Sequence, residues 1–488
     1  MASVSPQSLA PFANTVVIGA GLAGLVTAYR LRQAGVAVTV IEARDRPGGR
    51  VLSVPQALGT DLTAELGGEA FDSDHAASLT LAQELGLPIA DLWAAVPPSP
   101  TDWCWFEGAA WDSAALQREF TQLMQSRAAD WAAITQFMAQ AVPTPKVRAL
   151  DALSIPQYLA TTAASPSLRT WIEHAYTIKY GTDANQQSCL NLLCFFRRLE
   201  DCEHLFGWSD ERFYISGGNG QLPQALAAQL GEALVLNTRL IGLTARPEGG
   251  YQVTVQRGEQ ATIQTCDRVV MTVPFSVLRQ IPLQVDLPPQ QRQAIAHLGY
   301  NSPTKLITAY DGKPWRSRAP QGMAYTDLPI QHCWEASDSL LSSVGGLLVA
   351  YPGGQAGQTL STADLDTATK AVLQDLNQVF PGLSTHHRPT GSLRSEWIRD
   401  PLSQGAYACY RVGQWTAFYG WEGQRADSVF FAGEHCSREY QGYMEGACET
   451  AEQVALEILT DLDLPTAAKE QRDRLHHHTN VRQQGFRC

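Results

Sequence analysis

The chain has no run of 18 or more apolar residues, so no membrane-spanning helix is expected. It has no C-x-x-C pair, and its ten cysteines are scattered, which argues against both a zinc site and a disulfide framework; no metal is expected, and a reducing compartment fits. Met1 to Asn14 carry neither a basic segment nor an apolar stretch of signal-peptide kind, so a short disordered lead-in and a cytoplasmic protein are expected. Charge is sparse, at 17% of residues, and tilted to acid: 48 Asp and Glu against 36 Lys and Arg, a formal net charge of −12. That disfavours nucleic acid and anionic membranes as partners and would concentrate cationic ligands if the acids line a funnel. What is present is a 44% hydrophobic fraction on a chain longer than one core usually organises, so two or more domains of discontinuous segments are expected.

The chain opens with a β-branched run, Thr15 to Ala20, an apolar pattern of helical spacing from Gly24 to Gln33 and a second strand-like run, Val36 to Ile41. This reads as a βαβ unit. From Phe71 to Glu203 the sequence is alanine-rich, amphipathic and punctuated by proline at Pro97-Pro98-Ser99-Pro100 and Pro143 to Pro145, which predicts a helical cap. Strand-like runs return at Leu234 to Leu236, Tyr251 to Val255 and Arg268 to Val273, and again at Leu306 to Tyr310 and Leu347 to Ala350. One amphipathic helix is predicted over Thr362 to Phe380, a last strand over Ser428 to Ala432 and a last helix over Gly442 to Leu459, before a polar tail.

Gly19-Ala20-Gly21-Leu22-Ala23-Gly24 stands between the first strand and the first helix, and Glu42 ends the next strand. Gly19 permits a tight turn, Gly21 lets the backbone approach a pyrophosphate, and Gly24 permits close helix packing. The N–H groups at the helix start favour phosphate charge, and Glu42 would accept hydrogen bonds from ribose hydroxyls, which disfavours a 2′-phosphate. Ala43 and Arg44 continue into a second glycine pair, Gly48-Gly49, flanked by Arg46 and Arg50. Donors and close backbone approach so far along suit an extended FAD.

Val16 to Arg50 resembles the opening of the flavin-containing amine oxidase family, which includes monoamine, polyamine and L-amino acid oxidases. Further segments resemble it in the same order: Glu65-Leu66-Gly67-Gly68-Glu69, Ser216 to Gly220, Thr272-Val273-Pro274, Trp397 with Asp400-Pro401, Phe431-Ala432-Gly433-Glu434-His435 and Gly442-Tyr443-Met444-Glu445-Gly446-Ala447. The resemblance implies an α/β fold in which an FAD-binding Rossmann-like domain of the glutathione reductase type (residues 1–71, 206–285 and 390–465) is interrupted by a discontinuous α+β substrate domain (72–205 and 286–389), with residues 466–488 as a polar tail. It implies a pair of upright aromatics, Tyr407 and Tyr443, caging a slim amine, and Lys305 serving the reaction with oxygen, with Trp315 nearby. Trp397 would pack beside the flavin and Leu240 near the adenine. Gly442, Tyr443 and Met444 would start a helix aimed at the flavin's pyrimidine edge, and Ala406 stands where monoamine oxidases link the flavin to cysteine, so FAD is expected to be non-covalent. Cys436 and Cys448 read as packing residues.

The implied reaction is hydride transfer from an amine's α-carbon to FAD, with dioxygen reduced to hydrogen peroxide. Glu69-Ala70-Phe71-Asp72 follows the glycine pair where amino acid oxidases of the family carry an arginine. The expected substrate is therefore a di- or polyamine such as spermidine, its distal ammonium meeting Glu69 or Asp72. The alternative is a basic L-amino acid, arginine or lysine, with Arg438 or Arg399 holding its carboxylate. A desaturase, an isomerase or a flavin-bound scaffold is the reading of another class.

Overall fold

The computed structural model describes residues 12–99, 102–196, 202, 205, 209–484 and 486. Most of the lead-in expected over Met1 to Asn14, together with Pro100 of the proline run and Glu203 at the end of the alanine-rich segment, lies outside the described residues. The first strand, Thr15–Ile18, is buried along its whole length, and it sits in the middle of a five-stranded sheet. The order is Val429–Phe431, Arg268–Met271, Thr15–Ile18, Val38–Ile41, Leu234–Val235, and every pairing is parallel. Strands covered on both faces read as continuous apolar runs, which is why these short segments were legible. Successive side chains point to opposite faces: Val17, Val40, Val270 and Phe430 enter one core, while Val16, Ile18, Ile41, Val269, Met271 and Phe431 enter another.

Helix Leu22–Gln33 follows the first strand, and helix Met444–Asp461 packs against it. Their contact holds a buried ion pair, with Arg30 Nε 2.9 Å from Glu452 Oε1 and both side chains at most 1% exposed. On the other face lies an antiparallel meander, Arg239–Ala245, Tyr251–Arg257 and Gln260–Cys266, edged by Leu283–Gln284. A separate seven-stranded sheet runs Leu393–Arg394, Leu306–Tyr310, Gly346–Ala350, His332–Glu335, Ala324–Thr326, Trp103–Phe106, Ala109–Trp111.

The alanine-rich segment is thus not helical throughout. Its first part alternates helices Ala76–Glu84 and Leu92–Ala95 with strands Ile89–Asp91, Trp103–Phe106 and Ala109–Trp111, and Trp103–Phe106 pairs in parallel with Ala324–Thr326. Helices occupy the rest: Ser113–Ser126, Ala128–Gln140, Pro145–Asp151, Ile155–Ala160, Pro166–Tyr180 and Leu190–Leu193. Their starts are written locally. Asp112, Thr144, Ser154 and Ser165 each accept a hydrogen bond from a first-turn N–H, and Ser154 forms a reciprocal box with Gln157, satisfying donors the helix itself leaves orphaned.

The helix expected over Thr362 to Phe380 runs from Leu365 to Val379, because Asp364 caps it through the Thr367 N–H at 3.0 Å; a separate helix, Gly354–Thr362, precedes it. The polar end of the chain forms a helix, Pro465–Gln484, against Met444–Asp461 and Ala76–Glu84. Among the described residues no helix is long and apolar enough to cross a membrane, and nine cysteines are free thiols.

Candidate active site

A cavity of about 890 Å³ runs between the parallel sheet, the seven-stranded sheet and the cap helices, at the large end of ligand pockets, roughly 300–1,000 Å³. Its nucleotide end is built by the fingerprint. Gly19, Gly21, Leu22 and Ala23 line it, while Ala20 and Gly24 stand behind. A Cβ on Gly24 would lie 1.9 Å from the Gly19 carbonyl oxygen, whereas one on Gly21 would meet no protein atom within 4 Å. The first therefore fixes how tightly the helix sits on the turn, and the second leaves backbone open toward the cavity. Helix Leu22–Gln33 has no side-chain cap, so its first N–H groups remain available to an anion. Glu42 is 7% exposed; its carboxylate accepts from the N–H groups of Ala20 and Arg44, each at 2.8 Å. The second glycine pair is tied to the first turn through Gly48 N–H donating to Ala20 O at 2.8 Å, and Arg44 pairs with Asp400 at 2.7 Å. These features fit a dinucleotide.

Ala43, Gly49, Leu240 and Val273 also line the cavity, as do Gly67, Gly68 and Met444 farther along. There Arg50 donates to Glu434 at 2.8 Å and to the Ala406 carbonyl at 2.7 Å, and Glu434 accepts from Gly442 N–H at 2.9 Å. One ion pair so joins the second glycine pair to the loop before helix Met444–Asp461. That helix too has no side-chain cap, and Gly433, Gly442 and Tyr443 line the cavity at its start. Trp397 is anchored by its indole N–H donating to the Leu66 carbonyl at 2.7 Å.

Lys305, 6% exposed, donates to Glu69 Oε2 at 2.6 Å, to the Gly67 carbonyl at 2.9 Å and to the Glu65 carbonyl at 3.0 Å. Glu69 accepts in addition from Ser337 N–H at 3.0 Å and Ser337 Oγ at 3.2 Å. The ring beside this ammonium is Trp334, 5.5 Å away. Trp315, expected there, is buried off the cavity and donates to Glu335 at 2.8 Å. Burial pushes the nearby Glu65 carboxyl up to about 7.

Tyr407 and Tyr443 both line the cavity. The Tyr407 hydroxyl donates to the Lys179 carbonyl at 2.9 Å and lies 3.2 Å from the Tyr351 hydroxyl. Tyr443 carries the Lys179 ammonium 5.2 Å above its ring and His75 edge-on at 5.2 Å. Burial raises both phenols above the usual tyrosine range, so both are neutral hydrogen-bonding rings. His75 belongs to a group with Asp72 and Asp74 whose ligand atoms lie within 4.8 Å of one another; it pairs with Asp72 at 3.3 Å.

Two kinds of residue escaped sequence reasoning. Asp72, offered as partner of a distal ammonium, is 1% exposed, engaged by His75 and the Glu211 N–H, and absent from the cavity wall; Arg399 and Arg438 are absent from it too. Conversely Lys179, His332, Trp334 and Tyr351 line it without a local motif to mark them. Tyr351 follows a strand expected from the sequence, Leu347 to Ala350, which is the one signal available; Trp334 lies on His332–Glu335, a strand not expected from the sequence.

Fold and site define a dinucleotide-shaped groove that runs into a chamber lined by aromatic side chains. Residues 22–459 match the family described as flavin containing amine oxidoreductase, and the chain belongs to that family. Its cofactor is FAD, held in a Rossmann-like FAD-binding fold; among the described residues no cysteine lines the cavity and Ala406 does. Over 464 residues the chain is 29% identical to lysine-specific histone demethylase 1 homolog 1 of Arabidopsis thaliana, covering 91% of this chain and 52% of that protein. Over 475 residues it is 24% identical to the putative L-amino-acid oxidase YobN of Bacillus subtilis (strain 168), covering 91% and 94%. Among solved structures, wild-type putrescine oxidase bound to putrescine aligns with a TM-score of 0.77 at 20% identity, covering 92% of this chain and 99% of that one. The chain spans about half the length of the plant demethylase, and the likeness to putrescine oxidase is one of fold.

Proposed function

We propose that the protein is an FAD-dependent amine oxidase whose substrate carries a second charged group: a di- or polyamine such as spermidine, or a basic L-amino acid such as arginine or lysine. The observation that carries this is the joining, in one cavity with the dinucleotide groove, of the neutral pair Tyr407 and Tyr443 with the buried Lys305 ammonium. FAD, which Gly19, Gly21, Glu42 and the start of helix Met444–Asp461 would hold, would supply a two-electron acceptor for the hydride of the amine's α-carbon, with dioxygen and solvent protons as the source of hydrogen peroxide. Tyr407 and Tyr443 hold a slim amine by its faces and shed its water. Lys305, fixed by Glu69 and two carbonyls, presents a preorganised positive charge where oxygen accepts electrons. The substrate's distal charge finds Glu211, whose side chain is 56% exposed, and Asp102 and Asp210 on the same cavity wall; Glu69 is already held by Lys305 and Ser337. The diamine reading is supported by these acids and the amino acid reading by the Lys179 cation. A reducing, cytoplasmic setting is supported by the nine free thiols among the described residues.

Purified holoprotein mixed with amines under air is expected to release peroxide, faster as pH rises and the substrate amine loses its proton. No peroxide from any amine would point instead to a desaturase, an isomerase or a scaffold.

A further inference from the structure

Helix Met444–Asp461 carries three acids, Glu445, Glu449 and Glu452, on the face it turns to helix Pro465–Gln484; spacings of four and three residues set them in one row. Glu445 is fully buried in the opening turn, between Met444 and Ala447, which both line the cavity. Its carboxylate accepts from Ala77 N–H at 2.9 Å and from the Ser78 N–H and hydroxyl, each at 2.8 Å. Those donors begin helix Ala76–Glu84, whose own N-cap residue, His75, gives it no side-chain cap. Glu445 therefore caps a neighbouring helix from within the first turn of its own. A helix start carries a partial positive charge, and a carboxylate fixed in that turn offsets it.

The answering cation comes from beyond the family segment. The family match ends at residue 459, and Arg482 stands near the end of helix Pro465–Gln484. Its guanidinium is 2.5 Å from Glu449 and 3.3 Å from Glu445, with the exposed Glu439 at 3.5 Å and the centre of the Tyr440 ring at 4.8 Å. Burial opposes this charge, but Glu449 and Glu445 outweigh burial and hold the guanidinium above the usual arginine range. Glu452 has Arg30 for a partner and His75 has Asp72. Arg482 is the one cation within ion-pair distance of Glu445 among the described residues.

FAD gains negative charge on reduction, and the start of helix Met444–Asp461 is the part of the cavity wall whose dipole would favour that charge. We propose that Arg482 is a positioning residue for FAD reduction: by cancelling the Glu445 charge it keeps this end of the helix positive toward the cavity, so that bound FAD accepts electrons more readily. The effect falls on the cofactor and is the same whichever amine is oxidised.

The test is the midpoint potential of bound FAD, measured by titrating holoprotein with dithionite beside a reference dye. At about pH 8 the neighbouring His478, which burial holds below the usual imidazole range, is neutral. Glu449→Gln serves as the background, because burial raises that carboxyl to about 7 and it would otherwise take up a proton when the cation is lost. In that background Arg482→Met should weaken the binding of reduced relative to oxidised FAD about tenfold, a fall of about 30 mV for a two-electron couple. Arg482→Lys, which keeps the cation, should leave the potential near that of the background, and adding Glu445→Gln to Arg482→Met should restore it. A purely structural clamp would loosen both forms of FAD alike and leave the potential in place. A fall of less than about 10 mV in Arg482→Met, or the same fall in Arg482→Lys, overturns the proposal. Should Arg482→Met fail to fold, Glu445→Gln in the native chain decides: it leaves Arg482 in excess and should raise the potential by about 30 mV, and an unchanged potential overturns the proposal. Dithionite supplies the electrons, so either result leaves the amine oxidase reading standing.

Discussion

Replacing Lys305 by methionine isolates the charge at the centre of the site. The ammonium is 2.6 Å from Glu69, with side chains 8% and 9% exposed, so neither ion is well hydrated. Removing one partner of such a pair typically costs about 3–5 kcal/mol, because it strands the other charge. Here Glu69 keeps the Ser337 N–H and hydroxyl, which places Lys305→Met at the low end, about 3 kcal/mol. Adding Glu69→Gln removes the stranded carboxylate, and the double variant should regain at least half of the loss, a coupling of about 1.5 kcal/mol or more. The assay is urea unfolding of the holoprotein at a fixed excess of FAD, since free ligand shifts apparent stability. The same proteins in a stopped-flow mixer should show flavin reduction by substrate little altered in Lys305→Met and reoxidation by air slowed about 100-fold. A loss below about 1 kcal/mol with no recovery in the double variant would refute the argument, showing that the pair contributes packing and no charge coupling.

Other perturbations follow from the same geometry. Gly24→Ala sets a methyl 1.9 Å from the Gly19 carbonyl oxygen, so the helix must shift from the turn, and FAD retained through gel filtration should fall at least about tenfold. Glu422 is 2% exposed, and burial lifts its carboxyl from the ordinary 4.5 to about 7. Its contribution is complete below pH 4.5 and lost as pH rises through about 7, so Glu422→Gln should match the wild type at about pH 4 and exceed it at about pH 8 by up to about 3 kcal/mol in urea unfolding. Glu65 and Glu449 are raised to the same range, so the variant flattens the pH slope without abolishing it. Arg482, 21% exposed, pairs with Glu449 and the fully buried Glu445. Arg482→Ala should cost about 2 kcal/mol, with Glu449→Gln restoring part.

How much the sequence discloses depends on how local the cause is. The fingerprint Gly19 to Gly24 and Glu42 can be read directly, because turn, helix start and carboxylate lie within one βαβ unit, and Gly24 is required by a clash inside it. The cap helices announce themselves through Asp112, Thr144, Ser154 and Ser165. Lys305 and Glu69 are 236 residues apart, and nothing near either says they meet, so Glu69 looked free to bind substrate. Lys179 and His332 sit on an ordinary amphipathic helix and a short strand, where a lysine or histidine has no periodic signature. Trp315 drew attention over Trp334 because it follows Lys305 sooner along the chain, whereas sheet register brings Trp334 to the ammonium. The final helix was hidden by its composition: its buried positions include Gln471 and His478, which carry no apolar stripe.

The measurement closest to the central claim is anaerobic mixing of holoprotein with spermidine, putrescine, L-arginine, L-lysine and an aromatic monoamine, following flavin absorbance. An amine oxidase should bleach rapidly with at least one of them and regain its colour in air with one peroxide per flavin. A flavin that stays oxidised with every amine, in protein that still binds FAD, would contradict the account.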